Sequence, residues 1–220
     1  MIDLHTHTVF SDGELIPAEL ARRARVAGYR AVAMTDHADA SNLQPILDNV
    51  GRMVRQFGPH CGIELFFGVE LTHVPPALIP DLVAAARDGG AQLVVVHGET
   101  LVEPVEEGTN LAAIEAGVDI LAHPGLIRDE EARLAAERGV ALEITTRKGH
   151  SLTNGHVAVQ ARHHGARLVI NNDAHGPSDF VDRDLRRGVA LGAGLSQEEY
   201  HQVEENSRYL VSRILQAGTR

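Results

Sequence analysis

Histidine and acidic residues recur in short groups along this chain, and they are the residue types that divalent metal ions bind. His5 and His7 stand two residues apart near the N-terminus, and further groups follow at Asp36–His37 and Asp173–Ala174–His175. Residues i and i+2 of a strand point to the same side, so each spaced pair can converge on one ion. With 13 histidines beside 30 Asp and Glu residues, the chain is rich in imidazole and carboxylate ligands. The pattern therefore indicates a metal site.

The histidine and acidic groups are carried by a regular series of predicted elements, in which short apolar runs alternate with longer amphipathic segments. Seven runs predict β-strands, at Ile2–His7, Ala31–Asp36, Glu64–Leu71, Gln92–His97, Asp119–His123, Val140–Thr145 and Leu168–Asp173. Helical periodicity predicts helices near Pro17–Ala27, Pro45–Phe57, Pro76–Arg87, Thr109–Glu115, Asp129–Arg138, Gly155–His164, Asp184–Leu191 and Gln197–Gln216. Proline is typical of helix starts, as at Pro17, Pro45 and Pro76, and glycine of helix ends, as at Gly28, Gly58, Gly139 and Gly165.

Strict β–α alternation predicts an α/β fold of parallel strands joined by right-handed crossovers. The 220 residues lie near the lower length limit of an eight-stranded barrel, and the seven predicted strands favour a seven-stranded, TIM-like barrel. An open doubly wound sheet is the alternative, but no phosphate-binding GxGxxG follows the first strand. Since no linker or low-complexity stretch divides the sequence, we expect a single domain over residues 1–220.

The candidate ligands fall at one end of nearly every predicted strand. Six of the seven strands carry such a residue at or just past the C-terminal end, in the order His5–Thr6–His7, Asp36–His37, Glu70, His97, His123 and Asp173–Ala174–His175. The C-terminal ends of the strands form the active face of an α/β barrel. A random scatter of histidines would not choose the same end of six strands, so the sequence predicts one shared metal centre.

As an ordered set, these motifs resemble those of the PHP (polymerase and histidinol phosphatase) superfamily. The matching residues are His5–Thr6–His7, Asp12, Thr35–Asp36–His37, Glu70, His97, His123–Pro124 and Asp173–Ala174–His175. The resemblance covers residues 3–176 and implies a distorted (β/α)7 barrel, with the C-terminal helices (184–216) packing on it. It also implies three divalent ions per chain. The first would be held by His5, His7, Glu70 and Asp173, the second by Glu70, His97 and His123, and the third by Asp12, His37 and His175.

The resemblance implies a metal-dependent phosphoesterase that hydrolyses a small phosphomonoester, such as histidinol phosphate. A bridged pair of ions would lower the pKa of a shared water and provide a metal-activated hydroxide at this trinuclear centre. Mixed imidazole and carboxylate ligands without thiolates suit Zn²⁺, Mn²⁺ or Fe²⁺. Three such ions would bring the formal net charge from −10 to about −4. A nuclease or RNA-processing PHP protein and a non-catalytic PHP scaffold are the alternatives.

Three further residues are candidates for binding the substrate or donating a proton to it. Arg147 follows the sixth predicted strand, on which we identify no ligand, and its guanidinium can clamp a phosphate with two hydrogen bonds. His150 and His156 lie in the same loop and can donate a proton to the leaving group. The alternatives are an exposed basic loop for Arg147 and surface positions for both histidines.

The amino-acid composition indicates which classes of partner and which cellular compartment to expect. Lys and Arg number 20 against 30 Asp and Glu, and aromatics are 4%, which argues against a nucleic-acid-binding surface. No apolar run approaches the roughly 18–20 residues that cross a bilayer, and the N-terminal MIDLHTHT does not resemble a signal peptide. The single cysteine, Cys61, cannot form an internal disulfide. We therefore expect a cytoplasmic protein with a small phosphorylated substrate, no nucleic-acid partner and no membrane association. The sequence leaves its oligomeric state open.

Overall fold

A computed structural model describes residues 1–217, in which parallel strands alternate with helices. The strands are β1 (Ile2–Asp3), β2 (Ala31–Met34), β3 (His37–Ala38), β4 (Glu64–Leu71), β5 (Leu93–His97), β6 (Ile120–Ala122), β7 (Ala141–Thr145) and β8 (Leu168–Asn171). The helices are α1 (Pro17–Val26), α2 (Leu43–Cys61), α3 (Ile79–Asp88), α4 (Thr109–Ala116), α5 (Asp129–Arg138), α6 (Asn154–His164), α7 (Arg183–Gly192) and α8 (Gln197–Ala217). Short 3₁₀ turns occur at Pro76–Leu78, His150–Thr153 and Pro177–Asp179.

The strands form a nearly closed barrel in the order β1-β2-β4-β5-β6-β7-β8, with the short β3 pairing with β4. A parallel bridge between Thr6 and Ala174 joins the chain after β1 to the chain after β8, and His7 N donates to Ala174 O at 2.8 Å. This contact connects the first strand to the last. The predicted seven-stranded barrel is therefore confirmed as a single-domain, distorted TIM-like fold, and the open-sheet alternative is wrong.

The barrel is distorted where side chains replace strand-to-strand backbone pairing. β1 ends at Asp3 instead of the predicted His7, because Leu4 N donates to the Asn171 side chain at 2.9 Å. The second predicted strand, Ala31–Asp36, is interrupted after Met34 and resumes as β3 at His37. Between them, the Thr35 hydroxyl and the Asp36 carboxylate bond to the chain that follows β1. The additional short strand comes from this break.

A two-residue alternation along the strands separates the barrel interior from the layer beneath the helices. Ala31 and Ala33 of β2 belong to the interior cluster, whereas Val32 and Met34 pack toward the helices. Leu210, Val211 and Ile214 of α8 join the interior cluster, so this helix packs on the barrel. No helix among residues 1–217 combines the length and apolar character needed to span a membrane.

Both ends of α2 and the start of α3 differ from those predicted. α2 runs from Leu43 to Cys61, so Pro45 lies within its first turn instead of at its start, and Gly58 remains helical. Gly62 follows the last helical residue and caps the helix, with a φ of 62° that is the left-handed conformation glycine adopts readily. Pro76 begins the 3₁₀ turn that precedes α3, and the α-helix itself starts at Ile79.

Candidate metal centre

Imidazoles and carboxylates from around the barrel meet at the C-terminal ends of its strands. The contributing residues are His5 and His7 after β1, Asp12 in the following loop, His37 on β3, Glu70 on β4, His97 on β5, His123 after β6, and Asp173 and His175 after β8. The ring centroid of His7 lies 4.1 Å from that of His37 and 4.2 Å from that of His175. The His97 and His123 centroids are 4.5 Å apart. The structure thus brings all the predicted ligands into one cluster.

Glu70 stands at the centre of this cluster and is fully buried. Its Oε1 lies 3.2 Å from His5 Nε2 and 3.7 Å from His123 Nε2. Its Oε2 lies 2.7 Å from His37 Nδ1 and 3.5 Å from His7 Nε2. Burial alone raises the pKa of Glu70, but the charges on His5 and His37 outweigh it and hold the pKa well below its usual value. Glu70 is therefore an anion that faces several imidazoles, as a bridging ligand must.

Asp173 is a second buried carboxylate that faces the Nε2 atoms of His5 and His7. Its Oδ1 lies 3.1 Å from His7 Nε2, 3.4 Å from His175 Nδ1 and 3.7 Å from His5 Nε2. Burial, with a smaller contribution from the charge of nearby Glu70, raises the pKa of Asp173 to about 7. The charge on His5 lowers the pKa but does not outweigh these two effects. Asp173 and His123 also adopt positive φ angles of 52° and 27°. Such strain costs about 1–3 kcal/mol per residue and is concentrated at functional sites.

Asp12 brings a third carboxylate to the cluster from the solvent side. Its Oδ1 lies 3.2 Å from His175 Nε2 and 3.5 Å from His37 Nε2, and its side chain is 57% exposed. The loop that carries Asp12 is held by buried Asp36, which accepts hydrogen bonds from Thr8 N at 2.7 Å and Ser11 Oγ at 2.9 Å. Asp36 therefore positions this loop, which in turn places Asp12 at the open side of the cluster.

The cluster contains buried polar atoms that have no hydrogen-bond partner, and these atoms show whether metal ions fit there. Within the described chain, the buried atoms without a hydrogen-bond partner include His5 Nε2, both ring nitrogens of His7 and of His123, Glu70 Oε1, Glu143 Oε1 and Asp173 Oδ1. Buried polar atoms are nearly always paired, and each unpaired one costs about 1–3 kcal/mol. Several of these residues belong to sets of three or four whose ligand atoms lie within 4.8 Å of one another. The residues present therefore fit divalent ions.

Comparison with known proteins agrees with this geometry. The sequence profile of the PHP domain matches residues 3–119, more than half of the chain. The chain belongs to the PHP domain family. This PHP domain is 52% identical over 199 residues to an uncharacterized protein of Methanocaldococcus jannaschii. The match covers 90% of this chain and 91% of the relative. It is also 31% identical over 214 residues to ribonuclease P protein component 3 of Methanosarcina acetivorans. That match covers 90% of this chain and 82% of the relative.

A solved structure shares the fold. The histidinol phosphate phosphatase of Lactococcus lactis, crystallised with zinc, L-histidinol and phosphate, superposes on this PHP domain with a TM-score of 0.62. The match covers 89% of this chain and 94% of the phosphatase, at 17% sequence identity. At that identity the likeness shows the barrel fold, which confirms the architecture implied by the resemblance.

Glu143 is a buried carboxylate of the cluster that the sequence analysis missed. It lies on β7, the strand on which no ligand was identified, and it is fully buried. Its Oε2 lies 2.9 Å from His5 Nδ1 and accepts a hydrogen bond from Asn171 Nδ2 at 2.8 Å. Glutamate in the middle of the apolar run Ala141–Thr145 was the available signal, because a charged residue is almost never fully buried unless it is paired.

The contact between Glu143 and His5 gives a first prediction. A carboxylate that accepts the Nδ1–H of His5 leaves Nε2 free to bind an ion and makes it more basic, and loss of such a partner typically weakens metal affinity by about 10–100-fold. We expect Glu143→Gln to weaken one ion by that factor, measured by competition with a chromophoric chelator. Glu130→Gln, on the exposed surface of α5, is the control. Equal affinities in both variants would contradict this role for Glu143.

The three residues predicted to act on the substrate lie in different surroundings. Arg147 lines a cleft of about 370 Å³ with Lys148, Asn172 and Asp179, and its Nε lies 3.9 Å from Asp173 Oδ2. His150 lies in the cluster itself, where its ring stacks on that of His123 at 4.2 Å. The structure does not bring His156 to the cluster. Its Nε2 donates instead to the carbonyl oxygen of Ile127 at 2.8 Å, so this nitrogen is engaged within the protein.

Proposed function

We propose that this PHP domain hydrolyses small phosphomonoesters at a centre of three divalent ions. The observation that carries the proposal is the convergence of buried, unpaired imidazole nitrogens and carboxylate oxygens around Glu70 and Asp173. Apart from metal binding, a structure has little reason to bury so many unsatisfied polar atoms in one place. Membership in the PHP domain family supports the same chemistry.

The contacts within the cluster support the ligand sets implied by the resemblance. His5, His7, Glu70 and Asp173 would hold the first ion, and Glu70 would be shared with a second ion held by His97 and His123. Asp12, His37 and His175 would hold the third, and their ligand atoms lie together with that of His7. When bound, the ions would act as Lewis acids and lower the pKa of water toward neutrality.

Arg147 and the cleft beside it are suited to binding the substrate. Arg147 Nη1 donates to Asp179 Oδ2 at 3.1 Å, and Asp179 Oδ2 also accepts from the backbone N–H of His175 and of Gly176. This carboxylate holds the guanidinium at the edge of the cluster, where it can donate two parallel hydrogen bonds to a phosphate. A cleft of about 370 Å³ is within the size range of small-molecule sites.

The proposed substrate is a phosphomonoester of histidinol phosphate size. The Lactococcus lactis phosphatase that shares the fold was crystallised with L-histidinol and phosphate, which supports this substrate class. The family resemblance implies histidinol phosphate itself. A panel of phosphomonoesters is therefore the appropriate test.

The test measures the release of inorganic phosphate by the purified chain with Mn²⁺ or Zn²⁺. We expect turnover of at least one substrate among histidinol phosphate, sugar phosphates, nucleoside monophosphates and p-nitrophenyl phosphate. A chelator should abolish this activity and added Mn²⁺ should restore it, because bound ions would activate the water that attacks the phosphate. Metal-loaded protein that is inactive on the whole panel would contradict the proposal.

RNA processing is the second candidate function. One observation favours it, namely the 31% identity with ribonuclease P protein component 3 over 90% of this chain. The formal net charge of −10 speaks against an RNA-coating surface, which needs clustered Lys and Arg. Salt-sensitive binding of RNA, with or without cleavage, together with inactivity on phosphomonoesters would favour this second function.

A further inference from the structure

We propose that His150 and Glu103 complete an ion site with His97 and His123, and that Glu103 gives up its position when a phosphate binds. The inference rests on the proposed function, because it concerns the second of the three ions. It adds two ligands to those implied by the family resemblance, and it assigns His150 to metal binding instead of to proton donation.

The surroundings of His150 are those of a metal ligand. His97, His123 and His150 each offer a ring nitrogen, and the three nitrogens lie within 4.8 Å of one another. The other ring nitrogen of His150, Nδ1, lies 2.8 Å from the Thr100 hydroxyl, which directs Nε2 toward the cluster. Metal-bound histidines almost always have such a partner on the second nitrogen. His150 is also buried, which excludes the surface position considered from the sequence.

Glu103 reaches the same nitrogens from the loop between β5 and α4. Its Oε2 lies 3.1 Å from His97 Nε2, and its Oε1 lies 3.4 Å from His150 Nε2. The carboxylate therefore spans two members of the three-histidine group, at the position of a fifth ligand beside these histidines and the shared Glu70. A catalytic ion keeps one position for water or substrate and can expand to five ligands, so a fifth protein ligand would occupy that position. With Glu103 in place, the site would be closed.

The structure allows Glu103 to leave this position. Its side chain is 38% exposed, and the neighbouring side chains of Leu101, Val102 and Glu106 are exposed. Glu103 Oε2 also lies 3.4 Å from Nε2 of His73, a half-exposed residue outside the three-histidine group. His73 thus offers the carboxylate a partner away from the ion. Carboxylate and phosphate oxygens are ligands of the same kind, so they compete for one position.

The ends of this loop are anchored, which confines any movement to residues 101–107. Glu99 Oε1 accepts hydrogen bonds from Gly108 N at 3.0 Å and from Asn110 N at 2.9 Å, so it joins the two ends. Thr100 is held by His150. A short anchored loop can move its single inward-facing carboxylate without disturbing the barrel.

The experiment uses the full chain loaded with Co²⁺, whose visible spectrum reports its coordination, and inorganic phosphate as the probe. Glu103→Gln is compared with the wild type and with Glu106→Gln, an exposed glutamate of the same loop. We expect phosphate to change the Co²⁺ spectrum of Glu103→Gln at concentrations about tenfold or more below those needed for the other two proteins. Coincident phosphate titrations of all three would overturn the role of Glu103.

His150 is tested by ion binding alone. We expect His150→Ala, and His150→Gln as a variant of closer size, to bind one of the three ions about tenfold or more weakly in chelator competition. Thermal unfolding identifies the variant that is folded. Unchanged affinity for every ion in a folded variant would overturn the assignment of His150. Because neither readout needs turnover, inactivity on phosphomonoesters would refute the proposed function without deciding this inference.

Discussion

Replacing Glu70 by glutamine will reduce kcat/KM for phosphomonoester hydrolysis by about 10³-fold or more. The carboxylate lies between the proposed ligands of the first and second ions, with Oε1 3.2 Å from His5 Nε2 and 3.7 Å from His123 Nε2. A neutral amide keeps the shape of the side chain but removes the charge that two divalent ions would share. Loss of metal-based charge stabilisation costs several kcal/mol, and each 1.4 kcal/mol is a factor of ten in rate.

The matched control for this variant is Glu64→Gln at the other end of the same strand. Glu64 begins β4 and is exposed, whereas Glu70 is fully buried near the end of β4. Steady-state kinetics with Mn²⁺ and elemental analysis of both proteins provide the measurements. We expect wild-type behaviour from Glu64→Gln and loss of bound metal from Glu70→Gln. If Glu70→Gln kept both its ions and activity within tenfold of the wild type, Glu70 would not be a bridging ligand.

Replacing Arg186 by methionine will lower the free energy of unfolding by about 3–5 kcal/mol, the usual cost of breaking a buried ion pair. Arg186 on α7 is fully buried, and its Nε donates to Glu204 Oε1 of α8 at 2.9 Å. Its Nη2 donates to the carbonyl oxygens of Ile2 and Ile170, at 2.7 and 2.6 Å. One guanidinium thus connects both C-terminal helices to the first and last strands. Methionine replaces the aliphatic part of the side chain but can make none of these bonds.

Chemical and thermal unfolding of the metal-free protein will measure this loss. For a chain of this size the midpoint should fall by about 10 °C. Arg187→Met is the control, because Arg187 is the next residue of the same helix and is exposed. Surface substitutions usually change stability by less than about 0.5 kcal/mol. Similar stability losses in both variants would show that the buried ion pair does not hold the barrel together.

The sequence predicted the barrel and most of the cluster for the same reason. Strand periodicity identifies the C-terminal end of each strand, and parallel strands place those ends on one face. Residues as distant as His5 and Asp173 could therefore be predicted as neighbours, and their side chains are 3.7 Å apart. Element ends were predicted less well. α2 continues through Gly58 to Cys61, because a glycine can remain helical when the chain beyond it still packs.

Residues whose partners come from distant loops could not be found in this way. Glu103 shares its loop with Glu106 and Glu107, and no pattern in the sequence distinguishes the one that turns inward. His150 could be predicted to lie near the active face, but its stacking on His123 and its bond to Thr100 depend on how three separate loops pack. Arg186 was missed because a charged residue on an amphipathic helix is usually exposed.

The sequence by itself determined the order of strands and helices, the face that carries the chemistry and the types of ligand, because these follow from periodicities of two and 3.6 residues. Only the tertiary structure decided that Glu143 supports His5, that His156 lies apart, and that Glu103 reaches His97 and His150. Those contacts join segments far apart in the chain. They are selected by the packing of the whole barrel, which no local pattern records.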